Sequence, residues 1–264
     1  MSNLSAEQLT IGYEERIIVQ DLNLQFKPGN ITAIIGPNGC GKSTILKTMA
    51  RLHPASSGTV YLDGKMIHQT PTKEIAKKLA ILPQTPEAPS GLTVHELVSY
   101  GRTPHQSGFS RLQEHDREVI DWALEVTGLT ELQHQAVDTL SGGQRQRAWI
   151  AMAISQETGL LLLDEPTTYL DLAHQLEVLQ LLEKLNREEG RTIIMVIHDL
   201  NQASRFAHEL VAVKRGRIVH QGAASEVMKE SILKEVFNIE TTIVTDPRTS
   251  KPAMISYDLI KDGV

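Results

Sequence analysis

The chain is short of several residue types, and each shortage removes a class of protein from consideration. It has one cysteine, Cys40, in 264 residues, so no internal disulfide framework holds it together. Aromatic residues make up 4% of the chain, too few for a platform that stacks the bases of a single strand. Basic residues do not predominate either. The formal net charge is -6 at neutral pH, against the excess of lysine and arginine by which proteins grip a phosphate backbone and release its counterions. No nucleic-acid partner is expected. No apolar stretch approaches the roughly 20 residues of a membrane-spanning helix, and runs such as 160–163 and 193–197 are the size of strands. The N-terminus, MSNLSAEQLT, lacks the basic and then apolar pattern of a secretory signal. With the cysteine count, this favours the cytoplasm. Internal repeats and low-complexity tracts are absent. What remains is 41% hydrophobic content, sufficient for one large domain or a main domain carrying a smaller lobe.

Four short apolar runs read as strands, and three of them end in residues with chemical potential. The run 31–35 leads into Gly36, 160–163 into Asp164 and Glu165, and 193–197 into His198; the fourth, 210–213, leads into the turn Lys214-Arg215-Gly216. Buried runs with helical patterns between them predict a mainly parallel sheet covered on both faces. Ligands of such sheets bind beyond the carboxyl ends of the strands, where these polar residues sit. Helical periodicity marks Leu176, Leu179, Leu182 and Leu185, and again Val119, Trp122 and Val126, as core stripes. Near the N-terminus, 8–26 is strand-like and broken at Gly12, and 58–67 resembles a hairpin around Asp63-Gly64. These predict a small antiparallel layer. The segment 83–91, with prolines and a glycine but no periodicity, reads as a hinge loop, followed by mostly helical chain to about Thr158.

Gly36-Pro37-Asn38-Gly39-Cys40-Gly41-Lys42-Ser43 matches the P-loop pattern G-x-x-x-x-G-K-[ST], with a strand before it and a helix after it. Glycines let the backbone wrap closely enough for its N–H groups to face phosphate oxygens, and the helix presents its positive end. Lys42 supplies a mobile positive charge, the Ser43 hydroxyl can ligate magnesium, and Thr44 follows. Cys40 is read as a small packing residue within the loop. Asp164 and Glu165, beyond a strand, can divide their work. Asp164 holds the metal shell while Glu165 polarises water as general base. His198, at the end of another strand, is placed to touch a terminal phosphate.

These sites do not separate the P-loop enzymes from one another, but Leu140-Ser141-Gly142-Gly143-Gln144 does. It resembles the LSGGQ signature of the ABC ATPase family and stands at the start of a helical run, 145–155. Physically it is a second anion site, with Ser141 also suited to cap the helix. The resemblance implies an α/β fold: a RecA-like P-loop NTPase core with an N-terminal antiparallel β layer and an inserted helical subdomain. It divides the chain 1–264 into a nucleotide-binding lobe, 1–88 with 157–264, and a helical subdomain, 89–156. ATP and Mg2+ are implied as ligands. Tyr13 resembles the adenine-stacking aromatic, Gln84 the Q-loop residue that serves both metal and catalysis, Asp171 the D-loop aspartate and His198 the switch histidine. Because the signature faces a nucleotide on a second subunit, the resemblance implies a head-to-tail homodimer enclosing two ATPs.

More specifically, the chain resembles ATPases of ferric siderophore importers of the hydroxamate type, which are related to vitamin B12 importers. The matching residues are Leu82-Pro83-Gln84, Gly91-Leu92-Thr93-Val94, Tyr100-Gly101-Arg102-Thr103-Pro104-His105 and Pro166 to Leu172, with the terminal segment 241–260 and its turn at 246–251. Integral membrane permease subunits, and indirectly an extracytoplasmic siderophore-binding protein, are the implied partners. The chain would lie peripherally on the cytoplasmic face of the membrane. Leu92, Val94, Leu97 and Val98 offer apolar surface, Leu97 and Val98 being read as core, and the permease contact is expected on 100–109, including Tyr100, Arg102, His105 and Phe109. Cobalamin import, export, and soluble iron-sulfur cluster assembly share the nucleotide residues and stay open at this point.

Overall fold

The computed structural model describes residues 2–14, 16–106 and 112–260. The first elements are β1 (Leu4–Tyr13), β2 (Arg16–Gln25), β3 (Ile31–Ile35), α1 (Lys42–Met49), β4 (Ser57–Leu62) and β5 (Lys65–Met66). Then come α2 (Thr72–Ala76), β6 (Leu79–Leu82), α3 (Val94–Tyr100), α4 (Glu114–Val126), α5 (Gly142–Ser155), β7 (Leu160–Asp164) and α6 (Leu172–Glu189). The chain continues through β8 (Thr192–Val196), α7 (Leu200–Phe206), β9 (Glu209–Lys214), β10 (Arg217–Gly222), α8 (Ala224–Val227) and α9 (Glu230–Phe237). It closes with β11 (Ile239–Thr245) and β12 (Pro252–Leu259). Two compact units result, a middle unit built from Gln69–Ile193 and a terminal unit built from Asn3–His68 and the chain from Ile194 onward. Strand β8 starts in the first and ends in the second.

In the terminal unit, an antiparallel sheet runs β2-β1-β4-β5, burying Leu4, Leu9, Ile11, Val19, Leu22 and Leu24. The strand break expected at Gly12 falls elsewhere. Strand β1 continues through Gly12, which pairs with Ile17, and the chain turns after Tyr13, where Glu14 takes φ 52. A Cβ at position 12 would lie 2.9 Å from the Arg16 carbonyl oxygen, so this glycine marks a close strand approach rather than a break. A second sheet of this unit runs β10-β9-β3-β8, with β3 and β9 parallel. Strand β3 is buried throughout, as are the residues of β8, which is why they read as unbroken apolar runs. The β11–β12 hairpin, with its turn at 246–251, is pinned to α7 by Asn201, whose side chain accepts from the Met254 N–H at 2.8 Å and donates to its carbonyl at 3.0 Å.

In the middle unit, β6 and β7 are parallel, with Leu82 opposite Leu163. Asp171 caps α6 by accepting from the His174 N–H, and Gly190 at φ 67 ends it. Its buried face carries Val178, Leu179, Leu182 and Leu185. The stripe expected on α4 is rotated. Val119, Ile120, Ala123 and Leu124 are buried, while Trp122 sits at the edge with the Arg191 guanidinium 5.3 Å from its ring centroid. That cation–π contact keeps the indole where a charged partner can reach it. Val94 is core, together with Leu97 and Val98. A capping box between Thr93 and Glu96 starts α3 at Val94 and so commits that residue to its first buried turn.

The expectation for Arg102 is overturned. It is 1% exposed and forms the centre of a polar cluster rather than an outer surface. Gly101 permits this. A Cβ there would meet the Ser155 hydroxyl at 2.1 Å and the Met152 carbonyl at 2.2 Å, so only glycine lets this turn close on α5. The Arg102 Nε then donates to Asp116 at 2.8 Å, and Nη1 to Glu157 at 2.6 Å and to the Ser155 carbonyl at 2.7 Å. His105 is likewise engaged, with its Nε2 2.9 Å from the Gln156 carbonyl oxygen. Tyr100 is exposed, and Phe109 lies outside the described residues.

Burial alone would raise the Asp116 and Glu157 carboxyls, but hydrogen bonds and the Arg102 charge hold both below the usual carboxylate range. Arg102→Met should destabilise the protein by about 3 kcal/mol, at the low end for a broken buried pair because Glu157 stays partly solvated. Thermal denaturation at neutral pH should show an apparent Tm lower by roughly 5–10 °C. Carboxyls with lowered native pKa contribute stability above their ordinary values of about 4 and lose it as pH falls through the native ones. The gap between wild type and variant should therefore narrow in acid; a gap independent of pH would show that the ion pairs are not its source.

Candidate active site

The terminal unit holds the phosphate loop between β3 and α1. Gly36 takes φ 153, and a Cβ there would lie 2.1 Å from the Val213 carbonyl oxygen, so the loop must start on a glycine. Gly39, at φ 73, faces open space, and Gly41, at φ 107, leads into α1 with no side-chain cap. No side chain at that position competes with a ligand for the first-turn N–H groups. Lys42 is buried and donates from Nζ to the carbonyl oxygens of Gly36 at 2.8 Å and Pro37 at 3.0 Å, which aims its charge along the loop. Ser43 and Thr44 occupy the first turn of α1, half-buried. Burial pushes the Cys40 thiol up, opposed by the Lys42 charge. A protonated, enclosed thiol is a packing group, in keeping with its place in the loop.

His198 belongs to the same edge. Strand β8 lies beside β3, and the Ile197 N–H donates to the Ile34 carbonyl at 3.3 Å. The exposed His198 therefore emerges next to where β3 releases the loop at Gly36. Tyr13 ends β1, half-exposed, with its ring stacked on His53.

In the middle unit, the register of β6 and β7 does the positioning. With Leu82 opposite Leu163, residues two further along each strand meet, and Gln84 Nε2 donates to Glu165 Oε2 at 2.6 Å. Thr168 Oγ1 donates to the same oxygen at 3.0 Å. Glu165 sits at φ 55, a left-handed conformation that turns it out of the strand, whereas Asp164 ends β7 at 1% exposure.

The signature forms a second cluster in this unit. Ser141 and Gln144 close a capping box at the start of α5, the Ser141 hydroxyl accepting from the Gln144 N–H at 3.3 Å. A Cβ on Gly143 would meet the His174 ring at 2.6 Å, and one on Gly142 would lie 3.9 Å from a Leu170 methyl. His174 is in turn fixed by Asp171, Nδ1 to Oδ1 at 2.8 Å. The His174 backbone N–H, and then its ring, hold the Asp171 carboxyl below the usual carboxylate range. The structure thus brings the signature glycines and Asp171 together through His174. That residue, like His53, carries no motif by which the sequence would single it out.

A profile of the ABC transporter family matches residues 19–168. The chain belongs to the ABC transporter family. It is 65% identical over 99% of its length to the iron(3+)-hydroxamate import ATP-binding protein FhuC of Bacillus subtilis (strain 168), of which it covers 97%. Identity to the ferric enterobactin transport ATP-binding protein FepC of Escherichia coli (strain K12) is 47%, covering 97% of this chain and 94% of that protein. Among solved structures, a chain from an inward-facing transporter assigned to the metal-chelate ABC type superposes with TM-score 0.83 at 30% identity, covering 96% of both chains. The P-loop NTPase core with its antiparallel layer is the fold of these ABC cassettes, and the chain binds and hydrolyses ATP as they do.

The packing at Gly143 yields a prediction about this ABC signature. Gly143→Ala should destabilise the protein by about 1–3 kcal/mol through overpacking against the His174 ring. His174→Ala should relieve that clash. In a double-mutant cycle by urea denaturation, the two changes should couple by about 0.5–3 kcal/mol. Strict additivity would mean that the ring does not confine the signature.

Proposed function

We propose that the chain is the ATP-hydrolysing subunit that powers import of ferric siderophores of the hydroxamate type. The observation that carries the substrate class is the 65% identity to FhuC over nearly the whole chain, well above the 47% to FepC. Integral membrane permease subunits, and through them an extracytoplasmic binding protein, are its partners, with the chain peripheral on the cytoplasmic face.

The residues divide the work as follows. Backbone N–H groups of 36–41 cradle the phosphates, joined by Lys42 and by the first-turn residues Ser43 and Thr44, while Tyr13 stacks on adenine. Ser43, Gln84 and Asp164 are assigned to magnesium. Their hydroxyl, amide and carboxylate oxygens are the hard donors that this ion takes. When bound, magnesium neutralises charge developing on the transferred phosphoryl group. Glu165 acts as general base on water, with Gln84 beside it, and His198 holds the terminal phosphate. Ser141, Gly142, Gly143, Gln144 and Asp171 complete the site of a second copy in a head-to-tail dimer. The lobes are 1–88 with 157–264, and 89–156, hinged at 83–91.

Lys42→Ala should weaken ATP binding, measured by titration calorimetry, because it removes charge from the phosphates. Glu165→Gln should retain affinity and lose turnover by about 10²- to 10⁴-fold, the usual range for a general base. An equal loss of affinity in both variants would refute these roles.

Substrate class is tested in cells lacking the chain. Wild type should restore uptake of labelled ferric hydroxamates and leave ferric catecholate and cobalamin uptake at background, and Glu165→Gln should restore none. Equal restoration of all three would refute the hydroxamate assignment.

A further inference from the structure

Tyr13 is the last residue of β1, and the chain turns immediately after it, with Glu14 at φ 52. Pairing with Arg16 fixes its backbone. Its side chain projects outward, 48% exposed, and a ring so placed at a strand end has room to change rotamer. The His53 imidazole steadies it, with ring centroids 4.3 Å apart and planes inclined by 35°. His53 is itself anchored, with Nε2 3.1 Å from the Gly12 carbonyl oxygen. That oxygen can only accept, so Nε2 carries the proton and donates. The residue preceding Tyr13 thus holds the imidazole that lies against the Tyr13 ring, which ties ring, imidazole and strand end into one unit. His53 also forms part of the wall of a cleft of about 500 Å3, lined by Thr48, Arg51, Leu52 and Ile67 among others.

We propose that His53 is a positioning residue for recognition of the adenine base. It lies against the ring of Tyr13, which stays half-exposed, so that imidazole, phenol and adenine would form three layers. An aromatic ring held in place before binding accepts a base without first losing rotamer freedom, and it is that prepaid ordering which His53 supplies. The proposal rests on Tyr13 as the adenine-stacking residue, and it predicts an effect confined to the base end of the nucleotide.

The test uses steady-state ATP hydrolysis by the full chain, with inorganic tripolyphosphate as a competitor that occupies the phosphate site and has no base. His53→Ala should raise the KM for ATP about two- to tenfold, the loss expected when one more side chain must be ordered on binding. Its kcat should stay within about twofold, and the inhibition constant of tripolyphosphate should not change. His53→Phe, which keeps a ring against Tyr13 and lacks the hydrogen bond to Gly12, should recover most of the lost affinity. A parallel loss of tripolyphosphate binding in His53→Ala would mark a general structural role and overturn the proposal. So would an unchanged KM for ATP in His53→Ala when Tyr13→Ala raises it. If Tyr13→Ala itself leaves the KM for ATP unchanged, the adenine-stacking assignment falls, and the proposal falls with it.

Discussion

A strand covered on both faces has no room for an unsatisfied polar side chain, and that constraint decides where chemistry in this chain can lie. Strands β3, β7 and β8 are buried from end to end. Polar function is therefore pushed to the points where they release the chain, namely Gly36, the pair Asp164 and Glu165, and His198. Strand pairing then sets neighbours within each unit. The register of β6 on β7 places Gln84 against Glu165, and the step from Ile197 to Ile34 places His198 at the edge from which the phosphate loop departs. In each case a ladder of backbone bonds brings together side chains that are far apart in sequence.

Helix starts supply the other half of the design, and they differ in a useful way. Ser141, Asp171 and Asp199 cap α5, α6 and α7 with side-chain oxygens, each accepting a first-turn N–H. Helix α1 starts from Gly41 with no such cap, which suits a site where phosphate oxygens are the acceptors. The capping role of Ser141 does not conflict with recognition of an anion. Its oxygen accepts from Gln144, and a hydroxyl that accepts still has its own proton to donate.

Legibility in the sequence followed the same physics. The P-loop, the signature and the strand-end acids were readable because each needs particular residue types at a fixed spacing, and the buried strands were readable as apolar runs. Depth was not. Arg102 has the composition of a surface residue, and only the close approach allowed by Gly101, with Asp116 and Glu157 waiting, turns it inward. On α4, Trp122 fitted a helical period as well as Ile120, and the difference was made by Arg191, far along the chain. The roles of His53 and His174 are not legible in the sequence for a related reason. A lone histidine has no spacing rule, and its role appears only once the partner ring or the facing glycine is in place.

The adjacent acids show how backbone strain can separate two similar side chains. In a regular strand, Asp164 and Glu165 would simply alternate between faces. Instead Asp164 completes β7 and is enclosed, while Glu165 leaves the strand at φ 55 and reaches Gln84 and Thr168. A left-handed residue other than glycine costs roughly 1–2 kcal/mol, and a strain of that size persists only where surrounding contacts over-determine it. The two hydrogen bonds on Oε2 are such contacts. Both come from neutral donors and converge on one oxygen, which fixes the direction of the carboxylate. A fixed direction is one condition on a general base, the role proposed for Glu165.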